Sequence, residues 1–199
     1  MYIVGITGAS GPVIGVRLVE ELLRSGKEVA SVVTPAAWGI MGHEMGPGGK
    51  RHSSLRELLG ERGSTGGLQL LREYAHDDMF APLASGSFKF DAVVVAPCSM
   101  KTLAGIATGC ADTLIGRAAD VALKEGRRCI LVPRETPLNL IHLENLLKAK
   151  KAGADILVPV PGFYTRPRTV DDVVDFIVGK ILNLLGIEHN LFRPWGTEQ

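Results

Sequence analysis

A chain of 199 residues, 46% hydrophobic and 22% charged, has the composition of one folded globular domain and excludes a largely disordered polymer. Twenty-two basic residues against 21 acidic ones leave a formal charge of +1, with no basic excess to recommend nucleic acid or an anionic membrane as a partner. No apolar run reaches the roughly 18 residues that span a bilayer, the N-terminus starts as a strand without a basic leader, and Cys98, Cys110 and Cys129 lack C-x-x-C spacing. A cytoplasmic protein with reduced thiols, without membrane or nucleic-acid contacts, is expected.

Tyr2 to Thr7 reads as a buried strand, followed by the turn Gly8-Ala9-Ser10-Gly11-Pro12 and an amphipathic helix from Val13 to about Arg24. Ser25-Gly26 stops that helix, and Glu28 to Thr34 forms a second strand, completing a βαβ unit. Pro35 to Glu44 suggests a short helix. The glycine-rich stretch up to Gly67 suggests a long loop, and Leu68 to Tyr74 looks helical. Phe80 to Phe90 reads as a loop, and Ala92 to Ala96 as a fully apolar strand covered on both faces. Helical patterns run from Met100 to Ala107 and from Asp112 to Lys124, with a strand over Cys129 to Val132. Thr136-Pro137 resembles a helix cap followed by proline, and the helix it opens ends before Gly153. Ile156 to Val160 is the last strand, and Thr169-Val170-Asp171-Asp172 resembles a capping box opening a helix to about Leu185.

The alternation predicts an α/β protein: a single doubly wound (Rossmann/flavodoxin-like) parallel sheet flanked by helices, one domain over residues 1–199. The tail from about 186 to 199 carries Phe192 and Trp195, which suggests packing on a neighbouring subunit.

Ligands of such sheets sit beyond the carboxyl ends of the strands. Three turns fall there: Gly8 to Gly11, Pro97 to Lys101, and Pro133 to Pro137. The first two open helices, whose free N–H groups suit a phosphate. The second strand ends Val33-Thr34-Pro35 without the acid that a dinucleotide ribose requires, so a mononucleotide such as FMN fits better than NAD. Ser99 and Thr102 offer hydroxyls, and Arg134-Glu135 lies directly after a strand. Cys98 reads as a small buried apolar residue. No histidine pair is spaced for a metal, and G-x-S-x-G is absent.

Taken together, several motifs in order resemble the UbiX-type flavin prenyltransferases over nearly the whole chain. They are Thr7-Gly8-Ala9-Ser10-Gly11, Pro82-Leu83-Ala84-Ser85-Gly86-Ser87, Ala96 to Leu103, Arg117-Ala118-Ala119-Asp120-Val121, Leu123-Lys124-Glu125, Pro133 to Pro137, Pro161-Gly162-Phe163-Tyr164 and Trp195-Gly196. The resemblance implies a homo-oligomer, a dodecamer, that moves a dimethylallyl group from dimethylallyl phosphate to N5 and C6 of reduced FMN. It needs no metal and passes prenylated FMN to a UbiD-type decarboxylase. Motif by motif, it implies that Gly8, Ala9, Ser10, Thr34, Ser99, Met100, Lys101, Thr102 and Arg134 hold FMN. Tyr164, Lys180, Lys124 and Arg134 would meet the prenyl phosphate. Ser10, Glu44, Glu135 and Lys124 would be catalytic, Glu135 as proton donor to the leaving phosphate and Glu44 as base for ring closure.

Two positions depart from the pattern. Lys180 stands where arginine is usual, and Gly46 to Gly67 matches poorly and receives no role. The rival readings are an FMN-dependent peptidyl-cysteine or pantothenoylcysteine decarboxylase, with His43 as base, and a non-catalytic FMN carrier. The first would show a proline-x-methionine-asparagine motif where this chain has Arg134-Glu135-Thr136-Pro137, and the second would need neither Glu135 nor Tyr164.

Overall fold

The computed structural model describes residues 1–45 and 52–196. Six strands, β1 (Tyr2–Ile6), β2 (Val29–Val33), β3 (Leu71–Tyr74), β4 (Ala92–Cys98), β5 (Arg128–Pro133) and β6 (Asp155–Ile156), form one parallel sheet in the order β3-β2-β1-β4-β5-β6. The order reverses between β1 and β4, as a doubly wound sheet requires. All residues of β2 and β4 are buried, which explains the unbroken apolar run of β4 and a β2 whose one polar residue is Ser31.

The helices among the described residues are α1 (Pro12–Arg24), α2 (Pro35–Glu44), α3 (Leu55–Glu61), α4 (Met100–Thr108), α5 (Leu114–Lys124), α6 (Leu140–Lys151) and α7 (Val170–Leu185). Alternate strand residues feed two cores. Val4, Ile6, Val94 and Ile130 pack with α1, α3 and α7, whereas Ile3, Val93, Val95 and Leu131 pack with α4 and α5. Gly15 allows α1 to lie tightly on the sheet, because a Cβ there would sit 2.1 Å from the Ala96 carbonyl oxygen. Among the described residues no helix is long and apolar enough to cross a membrane.

The structure corrects several boundaries. Leu68 to Tyr74 is not a helix: Leu68–Leu70 make one 3₁₀ turn, and Leu71–Tyr74 become the edge strand β3. Thr136 caps nothing. The helix begins at Leu140, where the Asn139 side chain accepts the His142 N–H at 2.8 Å and His142 answers through Nδ1. β6 covers only Asp155–Ile156 instead of running to Val160. The glycine-rich stretch contains α3, capped by Ser54, while its residues 46–51 lie outside the described residues. Phe192 of the tail packs on Phe176 of α7, with ring centroids 4.9 Å apart, and Trp195 rests edge-on against Tyr164 at 5.4 Å. On α6, Leu140, Ile141, Leu143 and Leu147 all face solvent.

Candidate active site

β1 and β4 send their chains to opposite faces of the sheet, and a cleft of about 680 Å³ opens at their carboxyl ends. That volume lies within the roughly 300–1,000 Å³ of small-molecule sites. Four helices begin at its rim. α1 follows Gly11, whose φ of 91° is the left-handed conformation that glycine adopts without a side-chain clash. α2 is capped by Thr34, whose Oγ1 accepts the Ala37 N–H at 3.2 Å. Ser99 Oγ accepts the Thr102 N–H at 3.3 Å to cap α4, and Thr113 Oγ1 accepts the Gly116 N–H at 3.2 Å to cap α5. Four positive dipole ends around one cavity, with Lys101 and Arg134 beside them, make a setting for a phosphate-bearing ligand.

Buried Thr7 ties the turns together. Its Oγ1 donates to the Pro97 carbonyl and accepts the Ser99 N–H, both at 2.8 Å. The Arg134 N–H in turn donates to the Cys98 carbonyl at 3.2 Å. The ends of β1, β4 and β5 are therefore one hydrogen-bonded frame.

Ten of the expected site residues line this cleft: Gly8, Ala9, Ser10, Thr34, Ser99, Met100, Lys101, Thr102, Arg134 and Glu135. The exposed Glu135 carboxylate accepts the N–H of Thr136 at 3.0 Å. His76, Cys110, Asp112 and Thr113 also line it and were missed by the sequence reading. His76 follows β3, the strand mistaken for helix. Thr113 had a usable signal, a hydroxyl directly before the periodic run of α5.

The chain matches the family model Flavoprotein over residues 1–182. It is 47% identical over its full length to the flavin prenyltransferase UbiX of Halalkalibacterium halodurans, covering 95% of that protein. The chain belongs to the UbiX family of flavin prenyltransferases.

Solved structures of UbiX-type proteins agree. AnUbiX (PadA1), crystallised with FMN and dimethylallyl pyrophosphate, matches at TM-score 0.88 and 38% identity over 100% of this chain and 98% of its own. A dodecameric FMN-dependent UbiX-like decarboxylase from Escherichia coli O157:H7 matches at 0.85 and 41%, over 98% and 99%. Peptidyl-cysteine decarboxylase EpiD, at 14% identity and TM-score 0.58, shares the fold alone.

Four residues of the UbiX-type set lie outside the cleft within one chain. Glu44, at the end of α2, accepts the Gly11 N–H at 2.9 Å and so sits beside the first turn. Lys124 ends α5, paired with Glu125, whose carboxyl that contact holds below the usual carboxylate range. Eleven residues of helix put it roughly 16 Å from the Thr113 cap, at the opposite edge of the sheet. Tyr164 packs edge-on against Phe176 and Trp195, and Lys180 is exposed on α7.

Proposed function

We propose that this chain transfers the dimethylallyl group of dimethylallyl phosphate to N5 and then C6 of reduced FMN, and that a UbiD-type decarboxylase receives the prenylated FMN. The observation that carries the reading is the convergence of ten expected residues on one cleft where four helices begin. The cleft fits FMN as a substrate. Gly8, Ala9 and Ser10 with Thr34, Ser99 to Thr102 and Arg134 offer N–H groups, hydroxyls and cations to its phosphate and polar edges, while Met100, Ile40 and Ile115 provide apolar wall.

The donor's C1–O bond breaks with its electron pair leaving on the phosphate, while the N5 lone pair bonds C1 and N5 releases its proton to solvent. Negative charge grows on the departing group, and Arg134 and Ser10 stabilise it from fixed positions. Glu135, adjacent to Arg134, gives that phosphate its proton. Closure joins C6 to the prenyl C3 while C2 gains a proton and C6 loses one, and Glu44, held by the Gly11 N–H, is the base for it. Cations and helix ends supply the positive charge that phosphate departure needs, so we assign no metal to the reaction, and a chelator should leave turnover intact.

Lys124 lies too far along α5 to serve its own chain's cleft. Its role, with those of Tyr164 and Lys180, therefore belongs to neighbouring copies in a homo-oligomer, and the dodecameric relative supports that assembly. All three cysteines are free, in keeping with the cytoplasm. The test is anaerobic incubation of the protein with reduced FMN and dimethylallyl phosphate, followed by mass measurement of the extracted flavin. A gain of one prenyl unit is expected, and unmodified FMN would reject the reading.

A further inference from the structure

The segment from Arg134 to Asn139 carries two residues of the cleft, Arg134 and Glu135, and is exposed along its whole length. With no buried side chain, it takes its position from hydrogen bonds rather than from packing. Among the described residues those bonds tie it to the rest of the chain at its two ends. At the start, the Arg134 N–H donates to the Cys98 carbonyl at 3.2 Å. At the other end, Asn139 opens α6 through a reciprocal capping box. Its Oδ1 accepts the His142 N–H at 2.8 Å, and its own N–H donates to His142 Nδ1 at 3.4 Å. The bond between these ends, from the Thr136 N–H to the Glu135 carboxylate, is internal to the segment.

The third helical position of such a box is ordinarily glutamate or glutamine. Histidine there brings a property that glutamine lacks. It accepts the Asn139 N–H only while Nδ1 keeps its lone pair. Protonation makes Nδ1 a second donor facing that N–H, and it places positive charge at a helix N-terminus, where the dipole opposes it.

We propose that His142 is a positioning residue for Glu135, and that its capping box makes prenyl transfer fall away on the acid side of neutrality. The proposal rests on the reading of Glu135 as proton donor to the leaving phosphate. Arg134 is fixed directly by Cys98 and keeps its place when the box opens, whereas Glu135 lies between the two anchors and depends on both. α4 and β6 pack against α6, and their charged groups are Lys101 and Asp155, the latter paired with Lys150 at 3.0 Å. The segment itself adds Arg134 and Glu135, and α6 adds Glu144. Among the described residues none of these pairs with His142. The bond to Nδ1 is therefore present above the ordinary imidazole range, about pH 6.5, and is lost below it.

Single-turnover prenyl transfer at saturating donor, with FMN titrations alongside, tests this on wild type, His142→Ala and His142→Gln. His142→Ala removes the acceptor. Its transfer rate at about pH 7.5 is expected to fall about fivefold, the scale of one lost helix cap, with FMN affinity unchanged. His142→Gln restores the ordinary box and should keep the wild-type rate there. The ratio of wild type to His142→Gln should drop about fivefold between about pH 7.5 and 5.5, because the titrations of Glu135, flavin and donor phosphate are common to both and cancel. A wild-type rate in His142→Ala, or a ratio independent of pH, overturns the proposal. The ratio needs no alanine variant, so it decides the matter even where His142→Ala does not fold. Hydrogen exchange separates the box from the chemistry: the Asn139 N–H should exchange about fivefold faster in His142→Ala than in His142→Gln. If wild type never prenylates FMN, the prenyltransferase reading fails, while equal exchange in the two variants overturns the box.

Discussion

Thr7 Oγ1 and the backbone nitrogen of Ser99 lie 2.8 Å apart, although 92 residues separate them in the chain. Because the same hydroxyl also holds the Pro97 carbonyl, one buried oxygen fixes the end of β1 to the cap of α4. Thr7→Val keeps the shape and leaves the Ser99 N–H without its acceptor, while the Pro97 carbonyl keeps the N–H of residue 7, at a cost of roughly 1–3 kcal/mol. We expect the melting temperature to drop and FMN to bind about tenfold more weakly, a difference of about 1.4 kcal/mol. Thr7→Ser, which keeps the oxygen, should restore most of the affinity. Unchanged FMN titrations for Thr7→Val would detach the frame from the site.

Glu135 lines the cleft, and among the described residues its carboxylate hydrogen-bonds only with the N–H of its own neighbour, Thr136. Glu135→Gln should therefore fold and bind FMN normally while losing about 10²–10⁴-fold in prenyl transfer, the range for one acid catalyst. Single-turnover rates with reduced FMN measure this, and wild-type rates would remove Glu135 from the chemistry.

Lys180 is exposed within one chain, yet the reading places it at a neighbour's prenyl phosphate. Lys180→Ala should weaken the prenyl donor about 10- to 100-fold, as loss of one charged hydrogen bond does, and leave FMN affinity alone. Lys180→Arg should retain function or improve it. A silent alanine variant in steady-state donor titrations would identify Lys180 as a solvated surface lysine.

The cysteines differ in reactivity for a physical reason. Burial pushes the Cys98 thiol far up, and burial, with Asp155 adding to it, pushes Cys129 up to about 12, so both stay protonated. Cys110 is exposed and lines the cleft. A thiol reagent should therefore modify one cysteine quickly in the native protein and three after denaturation. Saturating FMN should slow the fast phase, and a fast phase indifferent to FMN would place the ligand elsewhere.

What was legible in the sequence follows from where burial is greatest. β1, β2 and β4 announce themselves because both of their faces are covered, and the turns after β1 and β4 carry the glycines and hydroxyls that helix starts need. β3 stayed hidden because it is an edge strand. Of Leu71-Arg72-Glu73-Tyr74 only Leu71 is buried, and Arg72 and Glu73 hold neither an apolar run nor a strict alternation. Misreading it concealed His76, which follows it into the cleft. The start of α6 was misplaced because Thr136-Pro137 offered the familiar signal, whereas the true cap joins Asn139 to a histidine at the third helical position. The separation of Lys124, Tyr164 and Lys180 from the cleft was not legible at all. A motif match names candidate residues, not the chain that would supply them.

The solvent-facing row on α6 sets a condition on handling the protein. Leu140, Ile141, Leu143 and Leu147 put four large apolar side chains into water on one short helix, at about 25 cal/mol for each Å² of apolar surface that association would remove. Mass action then governs stability: an interface that forms only between folded chains raises the melting temperature as protein concentration rises. Specific activity should accordingly decline on dilution and return on reconcentration, so assays run at very different protein concentrations would not be comparable.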